Sequence, residues 1–400
     1  MKNQYQRLAE QYRQPIQELA SQLIQIPSYS LQEKNIADFL YDKMTELGYD
    51  EVIRDEYGSI FGVLRGASDG PSLTLNCHMD TVHEGSMSGW LYPPYDAAIV
   101  DGRLWGRGAS DTKGTMAIQL YAPVILRKAG IFPAGNVVVA CVVAEESPGY
   151  GTNMQCADRR LITDYAIMGE ATENDIAIAS RGRCCICVHI QGKACHAAAA
   201  AGNTVFDYLE LLMPALKRID LAADSTLGHS SLHITKIESS EPGTNVIPAA
   251  ITVYCDCRLV GEDTYERIEE KVRTAIETVA MDGITAETTI YRVPVLTYTG
   301  KEDMCIEGVM PFSVSMDEPY IMRAKNAVEC AVGHPVQTKI WPFATDAGHY
   351  AAVGVKVLGY SPAETSYCHT NHDSISLTAM EESTAGYLAL ICELANPPAK

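Results

Sequence analysis

Apolar residues recur at helical spacing over residues 4–25 and again over 32–47, which predicts two amphipathic helices at the start of the chain. Ser28-Tyr29-Ser30 stands just ahead of the second and is expected to cap it. The pattern then changes. Short apolar runs bounded by polar residues alternate with helical stretches: strand 72–77, helix 112–129, strand 136–144, helix 153–161 and strand 165–169. Such alternation predicts an α/β fold, with a mainly parallel sheet sandwiched by helices.

Near Arg181 the texture shifts. Residues 176–192 are strand-rich, and a helix follows at about 204–219. Next come strands 230–238 and 248–259, a helix at 264–280 and a strand at 285–292. The order β-α-β-β-α-β is that of a ferredoxin-like α+β module. The first architecture resumes at about 295, with helix 318–332, strand 336–341, a short helix 346–352, strand 355–360 and a last helix 376–395. A discontinuous domain, 1–181 and 294–400, is therefore expected to carry 182–293 as an insertion.

The residues that close the strand-like runs carry the chemistry. The run through Leu73 and Leu75 ends in Asn76-Cys77-His78-Met79-Asp80. A glycine-rich loop, Gly106 to Gly114, holds Asp111. The run Val137 to Ala144 ends in Glu145-Glu146, Tyr165 to Gly169 ends in Glu170, and Val355 to Tyr360 leads to His369. In an open α/β sheet the carboxyl ends of the parallel strands share one edge, where sites form. Imidazoles and carboxylates gathered at one edge point to a metal site.

Composition narrows the classes. Four hundred residues with 47% hydrophobic content suffice for two buried cores. A net charge of −19 with no basic run argues against a nucleic-acid partner. No apolar stretch is long enough for a membrane span. The polar start Met1-Lys2-Asn3-Gln4 has no secretory h-region, so a cytoplasmic setting with its 13 cysteines reduced is expected. Cys184-Cys185-Ile186-Cys187 is expected as buried packing, and Cys77 and Cys368 as packing residues rather than ligands. A nucleotide-binding reading fails, because no G-x-G-x-x-G follows the first strand and no G-x-x-x-x-G-K-[ST] occurs.

The set His78-x-Asp80, Asp111-x-Lys113-Gly114, Glu145-Glu146, Glu170 and His369 resembles the co-catalytic zinc amidohydrolases. That family includes aminoacylase-1, acetylornithine deacetylase, succinyl-diaminopimelate desuccinylase, carboxypeptidase G and the peptidase T and PepV-type dipeptidases. The likeness runs from about residue 15 to 395. It implies a zinc exopeptidase-like catalytic domain with an inserted dimerisation or lid domain. It implies two Zn2+ per subunit, with Co2+ or Mn2+ as alternatives, held by His78, Asp111, Glu146, Glu170 and His369, with Asp111 bridging. It further implies Asp80 orienting His78, and Glu145 as general base. His196, in Gly192-Lys193-Ala194-Cys195-His196, would reach the partner subunit's site and stabilise the oxyanion of a homodimer. Asn245 and Arg258, with Arg292 as a weaker candidate, would grip the carboxylate of a small N-acyl amino acid or short peptide.

The expected activity is hydrolysis of an amide bond beside a carboxylate. The reading from another class is a catalytically inactive relative that binds a metabolite or peptide. The chain departs from the family pattern in places. The run from His369 ends in His372-Asp373 where a glutamate is usual, which leaves His372 as an alternative ligand. The alanine run after His196 lacks a proline, and Ser361 to Tyr367 lacks the usual Gly-Pro.

Overall fold

The computed structural model describes residues 2–200 and 202–398. A large sheet runs in the order Glu51–Arg54, Ile60–Leu64, Val137–Val142, Leu73–His78, Tyr165–Met168, Lys356–Gly359, Ile176–Ser180, Phe312–Ser313, with Thr338–Trp341 also pairing with Ile176–Ser180. The four strands from Val137–Val142 to Lys356–Gly359 are mutually parallel. The flanking Ile60–Leu64 and Ile176–Ser180 join them antiparallel. The expected parallel sheet is thus its centre. These central strands are apolar and almost wholly buried, as strands covered on both faces must be.

Helix Leu377–Leu394 packs against Gln4–Ile24, Gly114–Lys128 and Pro319–Val332, and closes the main core over one face of the sheet. Helices Gly151–Asp158 and Ala347–Ala352 lie together with a smaller cluster around Trp341 and Tyr350.

A separate antiparallel sheet runs Ser231–Ser239, Ala250–Leu259, Gly182–Gln191, Thr285–Ile290. Helices Val205–Lys217 and Tyr265–Glu277 pack on it around their own core, which takes in Cys184, Cys255 and Cys257. The connectivity is the expected β-α-β-β-α-β. The strand-rich segment 176–192 divides at Arg181: Ile176–Ser180 joins the large sheet and Gly182–Gln191 the small one. Where the chain returns, Arg183 pairs with Val309 across the two connections.

Two local expectations change. Ser28 and Ser30 do not cap the second helix, whose N-cap is Glu33. Instead the Ser28 hydroxyl donates to the Met79 carbonyl at 2.7 Å and Ser30 Oγ to Asp80 Oδ2 at 2.6 Å. The hairpin Arg292–Leu296 with Glu302–Ile306 also falls where the sequence pattern indicated only a resumption of the first architecture. All 13 cysteines are free thiols, and most are buried.

Candidate metal centre

Because the central strands are parallel, their carboxyl ends lie along one edge. His78 is the last residue of its strand; Glu145-Glu146 and Glu170 follow the ends of the strands on either side of it. Gly169 makes that approach possible: a Cβ there would lie 2.2 Å from Cys77 Sγ. Asp111 arrives from the glycine-rich loop. That loop is held by Asp373, whose carboxylate accepts from the amides of Gly108 at 2.7 Å and Ser110 at 2.9 Å and pairs with Arg107 at 3.2 Å. Asp111 does not cap the following helix, which begins at Gly114 behind Lys113.

Asp111 lies between two histidines. Its Oδ1 is 2.9 Å from His78 Nε2 and its Oδ2 is 3.0 Å from His369 Nε2. His369 Nε2 is also 3.0 Å from Glu146 Oε1, and His78 Nε2 is 3.7 Å from Glu170 Oε1. Ligand-type atoms of His78, Asp111 and Glu146 fall within 4.8 Å of one another, and so do those of His78, Glu145 and Glu170. His78 Nδ1 donates to the Asp80 backbone carbonyl at 2.9 Å, which fixes the tautomer and leaves Nε2 facing the carboxylates. The Asp80 carboxylate is 3.5 Å from that ring. It accepts instead from the amides of Glu145 at 3.0 Å and Glu146 at 3.1 Å.

The electrostatics describe a site short of positive charge. Burial, and then the neighbouring Glu170 carboxyl, push Glu145 well above the ordinary range. Burial and Asp111 push Glu170 to about 8 and Glu146 in the same direction. Asp111 resists burial and stays low because His369 and His78 face it. Hydrogen bonds donated to the Asp111 and Glu146 carboxylates hold His369 up at about 10. Among the described residues, these crowded carboxylates are balanced by imidazoles, a donor set that fits a divalent metal.

His372 is exposed, and its recorded contact is a backbone N–H to Thr370, so among the described residues only His369 of that pair reaches the cluster. His196 is exposed in the smaller module, with Nδ1 accepting from the Ala198 amide. Asn245 is beside it, its carbonyl accepting from the Ala197 amide, in the short ladder that pairs His196 with Val246. Arg258 donates to Asp256 at 2.8 Å and Arg292 to the Met304 carbonyl at 3.3 Å. None of these four contacts the metal-type cluster.

A cavity of about 170 Å3 opens beside Glu145 and Glu146, walled by Gly149, Arg183, Glu307, Thr345 and Asp346. The larger groove of about 770 Å3, over the edge strands near Phe61 and Val138, touches no member of the cluster. Sequence reasoning missed Arg183, which pairs with Asp256 at 3.0 Å and Glu307 at 3.3 Å, and buried Asp346. Neither follows a strand end in a recognisable motif.

A parallel sheet with histidines and carboxylates converging on its carboxyl edge, and an α+β module inserted beyond it, is an arrangement that fits a metallohydrolase. The model for peptidase family M20/M25/M40 matches residues 74–393, and the chain belongs to that family. It is similar to the uncharacterized protein YgeY of Escherichia coli K12, 24% identical over 96% of this chain and 95% of that protein. It is 28% identical to a succinyl-diaminopimelate desuccinylase of Methylorubrum populi over 66% of this chain and 73% of that enzyme. Among solved structures, the Bacillus subtilis YXEP protein, described as a dinuclear metal binding peptidase of the M20 family, superposes with a TM-score of 0.69. The identity there is 15%, over 96% of this chain and 98% of that one. The chain is thus a metal-dependent hydrolase of amide C–N bonds. No helix among the described residues is long and apolar enough to cross a membrane.

Proposed function

We propose that this protein is a dinuclear metallohydrolase that cleaves an amide bond next to a carboxylate, in a small N-acyl amino acid or a short peptide. The observation that carries the reading is Asp111, with one oxygen on each histidine. His78 and Glu170 would hold one ion, Glu146 and His369 the other, and Asp111 both. Zinc suits two imidazoles among carboxylates, with Co2+ or Mn2+ as substitutes. The ions would supply Lewis acidity to the amide carbonyl and lower the pKa of water.

The protein's own groups do the rest. Glu145 takes a proton from the attacking water and returns it to the leaving nitrogen. Its side chain makes no recorded contact with His369, whereas Glu146 does, which supports base and ligand in that order. Asp80 fixes the amides of both glutamates. His196 is exposed on the inserted module and apart from the cluster of its own chain, an arrangement suited to service in the partner subunit of a homodimer, where it would stabilise the oxyanion. Asn245, Arg258 and Arg292 would meet the substrate carboxylate. In this reading residues 1–181 and 294–400 are the catalytic domain, 182–293 the dimerisation and lid domain, and the enzyme works in the cytoplasm.

The test is metal binding. Metal-stripped protein titrated with Zn2+ is expected to take up two ions per chain. His369→Ala loses one of the two, and His372→Ala loses neither. Loss confined to His372→Ala overturns the ligand set, and a single ion in the wild type overturns the dinuclear reading.

A further inference from the structure

Glu33 lies at the start of the second helix, carries no motif and is fully buried. Its Oε1 accepts two backbone amides: Leu31 at 2.9 Å and Ala144 at 3.0 Å. Ala144 stands between the strand Val137–Val142 and the Glu145-Glu146 pair. Its φ is +52°, a left-handed conformation that an alanine adopts only when its surroundings impose it. The next two amides, of Glu145 and Glu146, go to Asp80 Oδ1 and Oδ2. Three consecutive N–H groups thus each end on a buried carboxyl oxygen, the first supplied by Glu33 and the other two by Asp80. The segment that brings Glu33 also brings Ser30, whose hydroxyl holds Asp80.

We propose that Glu33 is a positioning residue for the reaction: as hydrogen-bond acceptor for the Ala144 amide, it fixes the turn that sends Glu146 toward the metal and Glu145 toward the water. The inference rests on the roles given to those two glutamates above. What matters is an oxygen at that place, not a negative charge. Burial, and after it the charge of Asp80, push the Glu33 carboxyl up to about 8. Its second oxygen has no hydrogen-bond partner among the described residues.

The geometry therefore predicts an unusual order of substitutions. Glu33→Gln keeps the oxygen in reach of both amides. Glu33→Asp keeps the carboxyl but withdraws it by one methylene, leaving the Ala144 amide buried without an acceptor. With metal at saturation, Glu33→Gln is expected within threefold of wild type in kcat. Glu33→Asp is expected to lose roughly 10–100-fold, the usual range for residues that orient ligands, with KM unchanged. Zinc affinity, measured by titration of the stripped proteins, follows the same order. Circular dichroism and thermal melts establish that each variant is folded, and Glu33→Leu adds a case with no acceptor.

An equal or greater loss in Glu33→Gln than in Glu33→Asp overturns the proposal, because charge would then be the requirement. So does a Glu33→Asp variant with wild-type kcat and zinc affinity. A kcat loss that merely tracks the melting temperature across the variants also overturns it. Glu145→Gln, run in parallel, separates the two levels. If that variant stays active, the assignment of the base fails, and the order of zinc affinities alone decides the role of Glu33.

Discussion

The two modules present their motif residues in opposite ways. At the edge of the large sheet, His78, Asp111, Glu146, Glu170 and His369 converge, with His78, Asp111 and Glu170 buried, Asp111 and Glu146 at hydrogen-bond distance from a histidine and Glu170 3.7 Å from His78. On the inserted module, His196, Asn245 and Arg258 face outward. Their recorded partners are their own neighbours in sequence or ladder. One constellation is complete within a chain. The other, in the function proposed above, would act against something else, a second subunit or a bound substrate. Parallel strands force their ends together whatever follows them, whereas an antiparallel module with one covered face leaves its other residues to whatever it meets.

The sharpest way to break this comparison is at its catalytic pole. Glu145→Gln is expected to bind metal as the wild type does and to lose roughly 10²–10⁴-fold in kcat, the usual cost of removing a general base. Metal titration beside the kinetics reads both halves. Activity within threefold of wild type would assign the base elsewhere; loss of metal would make Glu145 a ligand, as its closeness to His78 and Glu170 permits.

A smaller loss tests the other pole. His196→Ala is expected to cost about 10²–10³-fold, as for other oxyanion-stabilising donors. Mixed with Glu145→Gln and allowed to exchange, it recovers activity, because a mixed dimer has one site with Glu145 from one chain and His196 from the other. Random exchange of equal amounts gives roughly a quarter of wild-type activity, since half the dimers are mixed and each has one intact site. No recovery, with mixed dimers verified by mass, places His196 outside the partner subunit's site.

What the sequence made legible follows the same divide. Strand ends are punctuated: an apolar run stops and a ligand-type residue appears, so His78, Glu146 and Glu170 stand out without a structure. The β-α-β-β-α-β order was equally plain, because its helices and strands differ in period. The supports were not. Glu33 serves Ala144 and Asp373 serves Gly108 and Ser110 through backbone amides far away in sequence, and a backbone amide leaves no mark on the residue it belongs to. The segment 176–192 looks continuous because both of its strands are apolar and buried; only the pairing partners separate them. Ser28 and Ser30 read as a cap since local spacing cannot show that they reach back to Met79 and Asp80.

The smallest expected effects belong to the arginines. Arg258 is about half exposed and spends Nε on Asp256, and Arg183 approaches the same carboxylate from the other side. A guanidinium held in this way keeps its terminal nitrogens for a carboxylate, and a hydrogen bond to a charged group contributes about 1.5 kcal/mol or somewhat more. Arg258→Ala is therefore expected to raise KM about tenfold with kcat nearly unchanged, the signature of binding lost equally from ground and transition states. Arg292, whose recorded bond is to the Met304 carbonyl of its own hairpin, should change KM less than about threefold when replaced by Ala. Steady-state kinetics on an N-acyl amino acid and on the matching carboxamide decide it. If Arg258 grips the carboxylate, the variant and the wild type differ on the acid and agree on the amide. An equal loss on both substrates would remove Arg258 from the binding site and leave Arg183, on the wall of the cavity beside Glu145, as the arginine to test.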